Sequence, residues 1–250
     1  MIDALLNGKL SRNQENMEDI LTSSVFGLMK YLPAEQGLFP YLRKTKMYPE
    51  GLVGFEYLSD AKKVTYEFWP KFSEDDCLPC EPDLLITIDF DAPRKPLVIV
   101  IEAKYLSGKS SVADDKARRP TDQLAREWDN LSKHCARIGA KLLLIYLTAA
   151  SFLPKDELFA ARRECETKRP QDTFICGWLS WHDLPEIFSK SRKEVSGDIF
   201  QLARRFGFTR FTGISPLTRK IKAQWKFSKP KILFRWRMTK ADHLRWRFAA

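Results

Sequence analysis

Leu97-Val98-Ile99-Val100-Ile101 contains no polar residue and runs directly into Glu102-Ala103-Lys104. A short, β-branched, wholly apolar run reads as a central strand covered on both faces. Glu102 and Lys104 are two positions apart, so on a strand they point to the same side. A charged pair at the end of such a strand is costly unless it is partnered or bound to metal. A second apolar run, Leu84 to Ile88, is opened by Glu81-Pro82-Asp83. Pro82 is compatible with a strand start, where no ladder donor is required. Paired as strands, the two runs bring Asp83, Glu102 and Lys104 to one edge of a buried sheet. Two carboxylates there suit Mg²⁺, a hard ion that prefers oxygen ligands. A lysine beside them suits a water or a phosphate charge.

Pro82-Asp83 and Glu102-Ala103-Lys104, 19 positions from Asp83 to Glu102, resemble the signature of the PD-(D/E)XK nuclease superfamily. The resemblance covers residues 10–150. It implies a restriction-endonuclease-like αβββαβ core in the α/β class and Mg²⁺-dependent DNA cleavage, with Mn²⁺ able to substitute. Asp83 and Glu102 would be metal ligands, and Lys104 would assist the attacking water. The Ala103 carbonyl is a further candidate ligand.

The flanking segments have the required order. Residues 14–31 carry Leu21, Val25, Leu28 and Leu32 at helical spacing. Glu18 shares that inward stripe and matches the superfamily's upstream glutamate, with Glu15 as the alternative. A plain helix-start role for Glu18 is the competing reading. Residues 63–70 alternate as a half-exposed first strand, with Glu67 toward solvent. After Lys104, Pro120-Thr121 marks a second helix with Thr121 as N-cap. Its buried stripe is Leu124, Trp128, Leu131, Cys135 and Ile138. Gln123, beside that stripe, matches a glutamine or lysine that the superfamily places near the metal. Leu142 to Leu147 forms a further buried strand. The polar stretch 107–120 reads either as an active-site loop offering Lys109, Lys116, Arg118 and Arg119 to phosphates, or as a plain solvated loop. Beyond residue 150, a helix over 154–167, a strand over 173–179 and a helix over 183–206, broken near Ser196-Gly197, enlarge the core.

No signal peptide or membrane-length apolar run is evident. The five scattered cysteines point to a reducing, cytoplasmic setting. Cys77 and Cys80 form a lone Cys-x-x-Cys without the second pair or histidines that zinc requires.

The formal charge is +10 and sits in one place. Residues 219–250 hold 11 basic residues and Asp242, while the other 31 basic and 31 acidic residues cancel. The chain therefore divides into a nuclease-like domain, 1–218, and a basic aromatic appendage, 219–250. In the appendage Lys226, Arg235, Arg237, Arg245 and Arg247 alternate with Trp225, Phe227, Phe234, Trp236, Met238, Leu244, Trp246 and Phe248. Period two, three times over, reads as a small antiparallel sheet with one aromatic and one basic face. The aromatic face is expected to pack, and the basic face to grip phosphates. Phosphate contacts of this kind do not specify sequence.

The function expected from these readings is a Mg²⁺-dependent deoxyribonuclease acting on DNA. A role in defence against foreign DNA is implied by the resemblance alone. The alternatives from other classes are an inactive DNA-binding module and a subunit of a larger DNA-processing assembly. A homodimer is compatible with double-strand cutting from a single site.

Overall fold

A computed structural model describes residues 18–49, 55–189 and 194–208. Its centre is a six-stranded mixed sheet in the order β1-β6-β5-β4-β3-β2. The strands are β1 (Lys46–Tyr48), β2 (Lys63–Phe68), β3 (Leu84–Asp89), β4 (Leu97–Lys104), β5 (Lys141–Thr148) and β6 (Cys176–Ser180). β2, β3 and β4 form an antiparallel meander. β5 and β6 then add in parallel, and β1 closes the edge antiparallel to β6.

Every residue of β4 is buried. Its alternation sends Leu97, Ile99, Ile101 and Ala103 to one core layer and Val98 and Val100 to the other. The first layer is covered by α1 (Glu18–Met29), α2 (Leu38–Leu42), α5 (Leu184–Phe188) and α6 (Glu194–Arg205). The second is covered by α3 (Gln123–Ile138) and α4 (Lys155–Lys168). A side chain such as Ile101, fully buried between strands and helices, contributes about 2–5 kcal/mol over alanine. The α1-β2-β3-β4-α3-β5 order is the one the sequence predicts.

Several local expectations need correction. The N-cap of α3 is Asp122, whose side chain accepts from Leu124 N and Ala125 N. Thr121 instead turns its hydroxyl to Glu164 and to the carbonyl of Val112. Ile138, the last residue of α3, is 52% exposed, because the helix stops there on Gly139 in the left-handed conformation. α6 passes through Ser196-Gly197 unbroken. A helical glycine costs only about 1 kcal/mol, less than burial of Ile199 and Leu202 returns. The interruption falls earlier, after α5. β1 has no counterpart among the sequence predictions, since three residues carry no readable period. It lies close on β6: a Cβ at Gly177 would meet Thr45 Cγ2 at 2.5 Å.

No helix among the described residues is long and apolar enough to cross a membrane. All five cysteines are free and buried. Glu67 is exposed, as expected. Glu15, the proposed boundary at 218/219, and the basic positions Lys226, Arg235, Arg237, Arg245 and Arg247 lie outside the described residues.

Candidate metal centre

The register of the meander places the site. Leu84 pairs with Ile101, so Asp83 and Glu102 lie one step beyond that pair, at the same end of adjacent strands. Asp83 Oδ2 accepts from Ala103 N at 2.8 Å, which locks its carboxyl against β4. Glu18, the first residue of α1, reaches the same end. Its Oε2 accepts from Tyr105 N at 3.0 Å and from Ser107 Oγ at 2.7 Å. Glu18, Asp83 and Glu102 each bring one carboxylate oxygen within 4.8 Å of the others.

Lys104 stands among these oxygens. Its Nζ donates to Glu102 Oε1 at 2.5 Å, to Glu18 Oε1 at 2.9 Å and to the Ala103 carbonyl at 2.9 Å. Gln123 completes the group from the N-terminus of α3. Its Nε2 donates to Glu102 Oε1, and its Oε1 accepts from Ser110 N at 2.8 Å. Gln123 thus orients Glu102 and ties the 107–120 loop to the site. All five residues singled out from sequence meet here.

The loop itself takes neither form considered from sequence in full. The Lys109 side chain is only 6% exposed, its ammonium paired with Asp122 and bonded to the Glu157 carbonyl. It therefore holds the start of α3 and is not free to meet phosphate. Arg119 pairs with Asp76.

Burial dominates the electrostatics. It pushes the Asp83 carboxyl up to about 7, with the charge of Glu102 adding to it and the Ala103 N–H and Lys104 opposing. Burial also raises Glu102, against the pull of the Lys104 ammonium. Burial alone would lower Lys104, yet the ion pairs with Glu102 and Glu18 outweigh it and hold it above its ordinary value. Lys104 is therefore a fixed cation at neutral pH.

Glu127 is the residue that sequence reasoning missed. It is 1% exposed and lies against Glu102. Burial, then the negative charge of Glu102, holds its carboxyl well above the usual range. The signal was its spacing: four after Gln123, on the same helix face. Apart from the contact between these two carboxyl groups, neither Glu102 Oε2 nor Glu127 Oε2 meets a donor among the described residues.

This donor set fits a divalent cation. It offers three carboxylates and no nitrogen or sulfur, which suits a hard ion. Apart from the Glu127 carboxyl, the buried Glu102 Oε2 also has no donor among the described residues.

No family model matches the chain, and no curated protein matches it. Among solved structures, the chain is similar to "MspJI Restriction Endonuclease in Complex with 27-mer Oligonucleotide" at 16% identity and a TM-score of 0.31. The match covers 86% of this chain and 36% of that one, so the chain spans about a third of the neighbour's length. A likeness of this strength carries no weight for function.

Proposed function

We propose that this chain is a Mg²⁺-dependent deoxyribonuclease that hydrolyses DNA phosphodiester bonds. The observation that carries the reading is the convergence of Glu18, Asp83 and Glu102 within 4.8 Å around the ammonium of Lys104. A structural salt-bridge cluster would not need three acids against one lysine in a buried place, since each surplus charge adds a desolvation cost.

Asp83 and Glu102 would hold the ion, with Glu18 completing or orienting the site. A bound Mg²⁺ would act as a Lewis acid on a phosphoryl oxygen and lower the pKa of its water. Lys104 offers its ammonium to the attacking water or to the charge that develops on phosphorus. Its present bonds to Glu18, Glu102 and Ala103 hold that ammonium at the sheet edge. Gln123 keeps Glu102 aimed by donating to Oε1, and Glu127 buttresses the same carboxylate from the next helical turn. The Ala103 carbonyl is already taken by Lys104, which makes it a weaker candidate ligand than the three acids.

The test is incubation with plasmid and with linear DNA, in Mg²⁺ and in EDTA. Nicking of the circle in Mg²⁺ alone establishes endonuclease action. Intact DNA in both, with DNA still bound, would leave the inactive DNA-binding module standing instead.

A further inference from the structure

A cavity of about 500 Å³ opens beside the metal centre and shares Gln123 and Glu127 with it. Its other walls include Lys71, Ser73, Ser110 and Arg126. The walls are built, not incidental. Asn130 Oδ1 accepts from Glu74 N, and its Nδ2 donates to the Leu78 carbonyl, pinning the 72–80 segment onto α3. Ser110 is fixed through the Oε1 of Gln123.

The cavity holds an unspent cation. Arg126 Nε is buried and has no hydrogen-bond partner, and its guanidinium makes no ion pair among the described residues. Its charge reaches the cavity wall, where it eases the otherwise raised thiol of Cys80. The acids that line the same space are engaged elsewhere: Glu127 with Glu102, and Glu81 with Lys71 at 3.4 Å. A buried donor without an acceptor is unfavourable unless a ligand supplies one. Guanidinium geometry favours phosphate oxygens, and two hydroxyls and the exposed Lys71 at the rim add donors.

We propose that this cavity is a subsite for a DNA backbone phosphate flanking the one at the metal, with Arg126 as its main donor and Lys71 at its mouth. The proposal rests on the nuclease reading for its orientation, since the shared Gln123 and Glu127 set the two sites side by side. Arg126 here is a binding residue and takes no part in the chemistry.

The test measures DNA binding by the full chain in EDTA, so that no cleavage occurs. A fluorescent duplex and its single strand are titrated at several salt concentrations with wild type, Arg126→Gln, Arg126→Lys, Lys71→Gln and Asp83→Asn. Arg126→Gln should weaken binding by about 10-fold and reduce the log–log salt slope by about 0.9 on duplex or about 0.7 on single strand. Arg126→Lys should keep the slope, and Asp83→Asn should keep the dependence on Arg126. Lys71→Gln, on an exposed rim, should show a smaller loss in the same direction without any risk to the fold. Unchanged affinity and slope in Arg126→Gln would overturn the subsite, as would failure of the wild type to bind DNA. Arg126-dependent binding without cleavage in Mg²⁺ would keep the subsite and remove the nuclease reading. Cleavage by a fully binding Arg126→Gln protein would do the reverse.

Discussion

The carboxyl groups of Glu102 and Glu127 meet in the buried seam between β4 and α3, and burial raises both above the usual carboxylate range. Two adjacent ionised acids in that seam would repel without a donor between them, so a proton shared by the pair serves as that donor.

Glu127→Gln should therefore be well tolerated, because a neutral amide also donates toward Glu102. Stability should stay within about 1 kcal/mol of wild type and cleavage within a few-fold. Glu127→Leu keeps the bulk and removes the donor. It should cost about 1–3 kcal/mol by urea unfolding, and about 10–100-fold in cleavage, as expected for a residue that supports a metal ligand. A Glu127→Leu protein with wild-type stability and activity would show that the pair is idle.

Lys104 neutralises the acids whose oxygens would hold the ion. Lys104→Met should abolish cleavage while metal binding persists. It should also lower metal-free stability by about 3–5 kcal/mol, since breaking a buried pair leaves uncompensated charge. Mg²⁺ or Mn²⁺ should then raise the melting temperature of this variant more than that of wild type, because the ion replaces the missing cation and binds only the folded chain. Wild-type cleavage by Lys104→Met would remove lysine from the mechanism.

Asp83 makes the site pH-sensitive. Its folded-state pKa of about 7 lies above the ordinary 3.8, so the folded chain binds the proton more tightly than the unfolded one. The resulting stabilisation, about 4 kcal/mol, is complete below about pH 4 and lost as pH rises through about 7. In EDTA the melting temperature should fall between about pH 4 and 7 and level off above. Excess Mg²⁺ should reduce that fall, and metal affinity should rise with pH across the same range as the proton is displaced. Asp83→Asn retains a side-chain oxygen for Ala103 N, whereas Asp83→Ala would strand that donor. The asparagine variant should lose cleavage and the Asp83 share of the fall, while Glu102 and Glu127, also raised by burial, keep theirs. An equally steep fall in the asparagine protein would place the titrating group elsewhere.

The sheet core was legible in sequence because its strands are wholly apolar and its helices amphipathic, signals that survive without tertiary context. Asp83, Glu102 and Lys104 were legible because charge at the end of an apolar run is anomalous. Glu127 and Arg126 were not. On a helix carrying Arg126, Glu127, Asp129 and Lys133, two more charges read as a solvated face. Only the approach of β4 and the 72–80 segment buries Glu127 and the Nε of Arg126. Lys109 misled for the same reason: a basic residue in a polar loop gives no sign that Asp122, the N-cap of α3, lies within reach of it.

Residues 219–250 carry the whole formal charge of +10. Arg235, Arg237, Arg245 and Arg247 alternate with large apolar residues, so a charge reversal on them should spare a packed aromatic face. Truncating residues 219–250 would remove the charge too, but would also uncover whatever those aromatics bury. Four Arg→Glu changes each remove two positive charges and take the formal charge from +10 to +2. If this face grips DNA, the variant should fold normally and bind more weakly. The log–log salt slope should then fall by about 0.9 for each duplex phosphate that an arginine no longer neutralises. Cleavage should fall through KM, since the metal centre is untouched. A folded variant with unchanged affinity and slope would assign the appendage to packing or to docking another protein, and would leave DNA binding to the body of the chain.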